Sequence, residues 1–387
     1  MNNHLDITIV NTMPFPSGAA SVNRILSYSR GLVEIGNKVT VYSTAYGKDI
    51  LEHEINGIRY KALRNVSKSR IKNTLSLVGA LIRLIRILIS KRTNVVILVS
   101  NNLLLIHPLY LVTKIKRIKF VQEKSEFPFV LNNKSVLGRF FAYVYVNTTY
   151  KLFDGLIIMT YKLEDYFKDK VRNNCTTIVV PMTVEPERFS IQVENNIGDY
   201  IAYCGDIGGN KDGVQNLITA FSYIAKDFPS LKLLLIGDSK DRSERMKLED
   251  YIKEIGCPNV VFYGVVSRDK IPPLLCNAKI LALARPSSLQ STGGFPTKLG
   301  EYLSTGNPAI VTKVGDIPLY LENNKHAFMV TPDDNYAFAE NIKYIMNNYE
   351  SALAVAKKGK NLVYETFNYR VQAKRIHGFL LELTKSN

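Results

Sequence analysis

Residues 293–312 read GGFPTKLGEYLSTGNPAIVT: a glycine pair, a proline, a run of helix-compatible residues carrying one acid, and then the apolar run 308–311. Glycines let backbone N–H groups approach an anion closely, and a helix that starts just behind them aims the positive end of its dipole the same way. Glu301 would then stand about two turns inside that helix, where a carboxylate can accept hydrogen bonds from sugar hydroxyls. Those features suit a diphosphate joined to a ribose. The same letters also suit an ordinary strand–loop–helix connection with a proline at the helix start, so the surrounding chain has to decide.

Apolar, β-rich runs recur at 7–10, 39–43, 95–99, 119–122 and 155–159, and again at 200–204, 233–237, 260–262, 280–284 and 308–311, with helical patterns between most of them. Near-continuous apolar strands alternating with helices build parallel sheets covered on both faces. The fold class is therefore α/β, with two doubly wound Rossmann-like domains. Residues 181–200, PMTVEPERFSIQVENNIGDY, are polar and proline-containing and lose the apolar period, as a linker does. Ligands of such sheets sit beyond the carboxyl ends of the strands. Two sheets facing one another would make a cleft with two walls, suited to joining two substrates.

The chain of 387 residues exceeds the roughly 250–300 that a single core supports. Its four cysteines, Cys175, Cys204, Cys257 and Cys276, are far apart and form no CxxC pair, which disfavours a zinc site or disulfide framework and fits a reducing, cytoplasmic compartment. The start, MNNHLDITIVNTMPFP, reads as a first strand and not as a signal peptide. Charge is uneven: residues 1–196 hold 27 Lys and Arg against 14 Asp and Glu, a surplus of 13, whereas the rest has a surplus of 3. The first half therefore faces something anionic, and nucleic acid, a phosphoryl-bearing acceptor and an acidic membrane surface are the candidates.

Residues 69–91, SRIKNTLSLVGALIRLIRILISK, predict a helix with a narrow polar stripe through Lys72, Ser76, Gly79, Arg83, Arg86 and Ser90. Arg83 and Arg86 interrupt it, leaving uncharged runs shorter than the roughly 18–20 residues of a span. It reads as a crossover helix with its basic stripe in water, and peripheral docking on anionic lipid is a second expectation.

The second half opens with YCGDIGGNKDG (203–213) followed by VQNLITAF. A strand ends, glycines form a loop, Lys211 projects as a point charge for phosphate and a helix begins. It is no Walker A motif, and alone it would pass for a strand-to-helix loop with a solvated lysine. With GGFPTKLGE, however, it resembles the retaining nucleotide-sugar glycosyltransferases of the GT-B fold, in particular family 4, whose second domain opens with G-R-L-x-x-x-K-G. NTMPFPSGAASVNRILSYSRGLVEIGNKVTVYS, VVPMTVEPERF, GVVSRDKIPPLLCNAKILALARPS and FNYRVQAKRIHGFLLEL resemble further segments of that family in order, nearly end to end.

The resemblance implies an acceptor-binding domain over 1–190, a donor-binding domain over 191–368 and a C-terminal helix over 369–387 returning to the first. It places Gly18 on the first glycine loop, Gly205 and Lys211 on the phosphate loop, Val266 beside Val265 near the base, and Glu301 on the ribose hydroxyls. Gly293, Gly294, Phe295, Pro296, Thr297 and Lys298 would lie near the diphosphate and the transferred sugar. It also implies retention of configuration with no resident cofactor, the nucleotide-diphosphate sugar being the donor substrate, and a glycan or lipid-linked acceptor in cell-surface polysaccharide synthesis. The enzyme would be cytoplasmic, with peripheral attachment to the inner face of the membrane as a second expectation.

Two departures stand out. Gly293 occupies the place of the family's first glutamate, and Asp206 that of its arginine, so Arg285, Lys298 and Arg24 become candidates to neutralise the diphosphate. Where many relatives have a histidine, this chain has Glu123 to Pro128, and an acid there, Glu126 among them, could orient the acceptor hydroxyl or support charge at the anomeric carbon. No DxD pattern occurs and the five histidines share no ligand spacing, which disfavours a metal-dependent transferase. A catalytically impaired nucleotide-binding or scaffold protein is the alternative reading. Nucleic acid is disfavoured, because no aromatic-interleaved basic strand or recognition helix accompanies the charge.

Overall fold

The computed structural model describes residues 4–16, 20–47, 50–65, 70–128, 135–191 and 194–385; Gly18 lies outside them. The chain divides into two compact units, Met1–Thr183 with Tyr369–Asn387, and Val184–Asn368.

The first unit is built on β1 (Asp6–Asn11), β2 (Lys38–Gly47), β3 (Glu52–Ile55), β4 (Ile58–Asn65), β5 (Val95–Val99), β6 (Lys119–Lys124), β7 (Gly155–Ile158) and β8 (Thr176–Val179). They form one sheet in the order β3-β4-β2-β1-β5-β6-β7-β8, parallel except where β3 runs against β4. Its helices are α1 (Ala20–Glu34), α2 (Arg70–Ser90), α3 (Leu103–Lys116), α4 (Val136–Thr149) and α5 (Tyr161–Phe167). Ile7, Ile9, Val95 and Ile97 are fully covered, as strands buried on both faces require.

Residues 4–65 hold the first departure from the apolar-run reading, which contains neither β3 nor β4. Their turn is Asn56-Gly57, both at positive φ (51° and 74°), the arrangement whose twist matches a two-residue hairpin. The strands escape an apolar search because β3 is polar and mostly exposed.

The second unit contains β9 (Tyr200–Cys204), β10 (Lys232–Ile236), β11 (Val260–Gly264), β12 (Ile280–Leu283), β13 (Ala309–Thr312) and β14 (Phe328–Val330), all parallel, in the order β11-β10-β9-β12-β13-β14. Its helices are α6 (Val214–Ile224), α7 (Arg242–Glu254), α8 (Ile271–Cys276), α9 (Leu289–Gly293), α10 (Thr297–Thr305), α11 (Ile317–Tyr320), α12 (Asn335–Asn347) and α13 (Tyr349–Leu362). Counted from its own first strand, this sheet has the order 3-2-1-4-5-6, and β4-β2-β1-β5-β6-β7 repeats that order in the first unit. It is the doubly wound nucleotide-binding topology, whose order reverses beside the first strand. The short edge strands β8 and β14 were likewise outside the apolar-run reading.

At Tyr369 the chain re-enters the first unit as α14 (Tyr369–Lys385). The Tyr369 hydroxyl donates to Glu34 Oε1 at 2.7 Å, and Arg370 Nε lies 2.8 Å from Glu34 Oε2. Ala373, Ile376, Phe379, Leu380 and Leu383 join the core beneath them. In α2, Ala80, Leu84 and Leu88 are buried at four-residue spacing while Arg83 and Arg86 are exposed. No helix among the described residues is long and apolar enough to cross a membrane.

Candidate functional site

In a doubly wound sheet the connections leave the two strands at the reversal in opposite directions, opening a crevice beyond their carboxyl ends. In the second unit these strands are β9 and β12. The chain leaves β9 at Gly205, where an added Cβ would fall 2.0 Å from Lys298 Cε and 2.6 Å from its Nζ. A side chain at 205 would have to displace the end of that lysine. The loop ends at Gly213, at φ 66°, where a Cβ would stand 1.8 Å from the carbonyl oxygen of Ala284 just past β12. A left-handed residue without a side chain is thus what lets the β9 loop press against the β12 exit.

That pinch decides which side chain of the loop faces inward. Asp212 is buried, its Oδ2 2.6 Å from Lys298 Nζ and accepting from the Tyr203 hydroxyl at 3.0 Å, and its Oδ1 3.4 Å from Arg285 Nε. Burial raises the Asp212 carboxyl, but Lys298, Arg285 and the Tyr203 hydroxyl outweigh it and hold it below the usual carboxylate range. Arg285 is itself fully buried and also donates to the backbone oxygen of Lys211 at 3.4 Å. Lys211 stands at the exposed rim of the loop. Asp206 is exposed too; its Oδ1 accepts from Gly208 N at 2.9 Å, an Asx turn that shapes the loop.

Gly293 and Gly294 do not form the tight glycine turn read from the sequence. Gly293 is the last residue of α9 and Gly294 is extended, at φ −105°. The bend is organised instead by the buried Ser291, whose hydroxyl donates to Pro286 O at 2.7 Å and which closes a capping box with Ser288. The Phe295 side chain belongs to the core, edge-on to Tyr320 at 5.4 Å and 5.7 Å from Phe367. Pro296 precedes α10, and no side chain caps that helix, so its first amides at Thr297 and Lys298 carry the positive end of the helix dipole without a side-chain acceptor.

Glu301 is the fifth residue of α10, little more than one turn in where the sequence reading expected two. Its side chain is 27% exposed and lies 3.8 Å from Arg188 Nη1. Arg188 in turn donates to Arg268 O at 2.9 Å, and Arg268 lies 3.4 Å from Glu185. Burial raises the Glu301 carboxyl above its usual range despite Arg188 and Lys298. Burial, followed by the charge of Glu301, pushes the Cys204 thiol up to about 12, and Cys204 N donates to the Tyr302 hydroxyl at 2.8 Å, which sets this part of α10 against the end of β9. Val265 is exposed and Val266 half-buried, just past β11.

Glu126 lies in the first unit, half-buried beyond the end of β6. In the same unit Arg24 is buried and fully engaged: Nε lies 2.7 Å from Glu123 Oε1, Nη2 donates to Val180 O at 2.7 Å, and Nη1 donates to Pro181 O. It ties α1 to β6 and to the segment after β8, which removes it from the candidates for neutralising a diphosphate. Lys124 is buried, donates to Asn101 Oδ1 at 2.6 Å and lies over the rings of Tyr150 and Phe167. Burial pushes its amine down to about 8, against the opposing effect of Glu123 and Glu126.

The structure thus gathers Gly205, Lys298, Glu301 and Thr297 at one strand reversal. Asp212 and Arg188 went unnoticed in the sequence. The signal for Asp212 was its place directly before Gly213: counted back from the helix, Asp212 and not Lys211 is the residue that adjoins the left-handed glycine ending the loop.

Two doubly wound α/β units of like strand order make the GT-B fold. Residues 198–348, which lie in the second unit, match the family model of the glycosyl transferases group 1. Across 99% of its length the chain superposes on all of the sucrose-phosphate synthase of Thermosynechococcus elongatus, at 15% identity and a TM-score of 0.78. It covers all of Anabaena HepE, solved in complex with UDP, over 98% of its own length, at 15% identity and a TM-score of 0.75. Among curated proteins it is 25% identical over 155 residues to the N-acetyl-alpha-D-glucosaminyl L-malate synthase of Bacillus anthracis, 40% of this chain and 38% of that protein. It is 36% identical over 72 residues to the trehalose phosphorylase of Pleurotus pulmonarius, 18% of this chain and 10% of that protein. The matched stretches therefore span well under half of these curated relatives.

Proposed function

We propose that the chain is a retaining glycosyltransferase that moves a sugar from a nucleoside diphosphate sugar to a hydroxyl of a glycan or lipid-linked acceptor, without a resident metal or cofactor. Cell-surface polysaccharide synthesis at the inner face of the membrane is the setting proposed for it. The observation that carries this reading is the meeting of Lys298, Arg285 and the uncapped start of α10 at the β9–β12 reversal, with Glu301 one turn further on. In the step itself the acceptor oxygen bonds to the anomeric carbon, the bond from that carbon to the phosphate oxygen breaks, and the departing diphosphate takes the acceptor's proton. Lys298 and the α10 amides stabilise the negative charge that develops on the leaving group, and Glu301 holds the ribose hydroxyls. Lys211, at the rim, supplies further positive charge.

Thermal-shift screening with UDP-, GDP-, ADP- and CMP-linked sugars, followed by a donor-turnover assay, tests this. One base class should raise the melting temperature and be consumed. Gly293 in place of an acid and Asp206 folded into its own turn favour one second reading, a nucleotide-binding protein that has lost turnover; binding without consumption of any donor would support it. Inorganic phosphate belongs among the acceptors tested, given the similarity to a trehalose phosphorylase.

A further inference from the structure

The helix α4 has two apolar faces. Ala142, Tyr145, Val146 and Thr149, at i, i+3, i+4 and i+7, are buried. Leu137, Phe140, Phe141 and Val144 repeat that spacing on the opposite side and are exposed, Phe140 and Phe141 to 62% and 63%. A helix needs only the first set to pack on its sheet. α2, α3 and α4 are the crossovers leading to β5, β6 and β7, and right-handed crossovers running in one direction put all three on the same face of the sheet. α3 adds Leu111 and Ile115, the latter 81% exposed, and α2 adds Ile82 and Ile89. Scattered exposed apolar residues need no explanation, but aligned outward stripes on three neighbouring helices do.

The stretches of sequence that supply this face are one-sided in charge. From residue 55 to 122 the sequence has 14 Lys and Arg and no Asp or Glu, and from 127 to 153 it has 3 and none. Arg86, Arg117 and Arg139 are exposed among the apolar residues. A second copy docking here would set like charges against each other. An anionic lipid surface satisfies both components: aromatic and aliphatic side chains enter the headgroup boundary while the arginines meet lipid phosphates.

We propose that the outer face of α2, α3 and α4, with Phe140 and Phe141 at its centre, is a docking surface for anionic membrane lipid. It differs from the basic stripe read on residues 69–91 in that aromatic side chains of α4 make the insertion. The surface stands apart from the transfer reaction, and its test reads binding and not turnover.

The chain contains no tryptophan, so Phe141→Trp creates a single reporter at the centre of the face. The purified full chain is floated with vesicles of phosphatidylcholine alone and with one-third phosphatidylglycerol. Acidic vesicles should retain it at least tenfold better, and added salt should release it. Phe141→Trp should shift to the blue on acidic vesicles and be quenched by bromine-labelled acyl chains. The double variant Phe140→Glu/Phe141→Glu should lose vesicle binding while keeping its melting temperature, and Arg139→Glu should weaken binding about fivefold or more. Equal retention by neutral and acidic vesicles, unshifted tryptophan emission, or vesicle binding by the double glutamate variant would each overturn the proposal. So would a wild-type dimer in sedimentation that the double variant dissolves, since the face would then belong to a second copy.

Discussion

The carboxylate of Asp212 meets the ammonium of Lys298 at 2.6 Å, joining the loop after β9 to the first turn of α10. An internal anion therefore occupies the partner position of the lysine proposed above to meet the diphosphate, and it also lies 3.4 Å from Arg285. A bound diphosphate would share or take over these cations.

Loss of Lys298 should accordingly hurt nucleotide binding more than loss of Lys211. Removing one charge-assisted contact costs about 1.5–3 kcal/mol, so calorimetry should find nucleoside diphosphate affinity reduced at least tenfold in Lys298→Ala and less in Lys211→Ala. Equal losses would place the rim lysine on the phosphate. In Asp212→Asn the cations lose their internal partner; the apo protein should melt lower, and the ligand-induced rise in melting temperature should exceed that of wild type.

Glu301 carries a carboxyl raised above its ordinary value, chiefly by burial. For such a group the contribution to stability is complete below the unfolded value and disappears as pH rises through the folded one. Glu301→Gln should therefore melt higher than wild type at neutral pH, with the gap closing toward about pH 4, while turnover falls. A variant less stable at neutral pH would show that Glu301 is held ionised by Arg188.

Lys124 presents the opposite case for a base. Its amine is pushed down to about 8 by burial, so between that value and the ordinary one of 10.5 the unfolded chain binds more protons and stability rises with pH. Melting temperatures of Lys124→Met and wild type, compared across that window, should converge as pH increases; parallel curves would contradict the shift.

Arg24 and Glu123 are both buried and paired at 2.7 Å. Removing one member of such a pair costs about 3–5 kcal/mol because the other stays buried and uncompensated, whereas replacing both by apolar residues costs far less. Denaturant unfolding of Arg24→Ala, Glu123→Ala and the doubly apolar Arg24→Met/Glu123→Met should show this non-additivity in the first unit.

Much of the architecture was legible because central parallel strands advertise themselves: β1, β5, β9, β10 and β12 are short apolar runs that can hardly be anything else. β3 and β14 were not, since a polar hairpin arm and a three-residue edge strand carry little apolar signal, although Asn56-Gly57 was a turn signature in plain view. At the candidate site, residue types were readable but facing was not. Whether Lys211 or Asp212 points inward depends on where the left-handed Gly213 ends the loop, a backbone property that a one-residue difference in spacing conceals. Arg188 was hidden for another reason: it is remote in sequence from Glu301, and only the fold joins the two.

The return of α14 to the first unit makes that unit discontinuous, and this sets an order of events during synthesis. Residues 184–368 emerge from the ribosome as one uninterrupted run and can close their own core at once. The first unit, although begun earlier, must wait for Ile376, Phe379, Leu380 and Leu383 to cover it. Each such side chain is worth about 1.5–3 kcal/mol when buried, together comparable with the ~5–15 kcal/mol that holds a whole domain folded. The nascent first half thus carries a complete sheet but an incomplete core until the chain has passed residue 383.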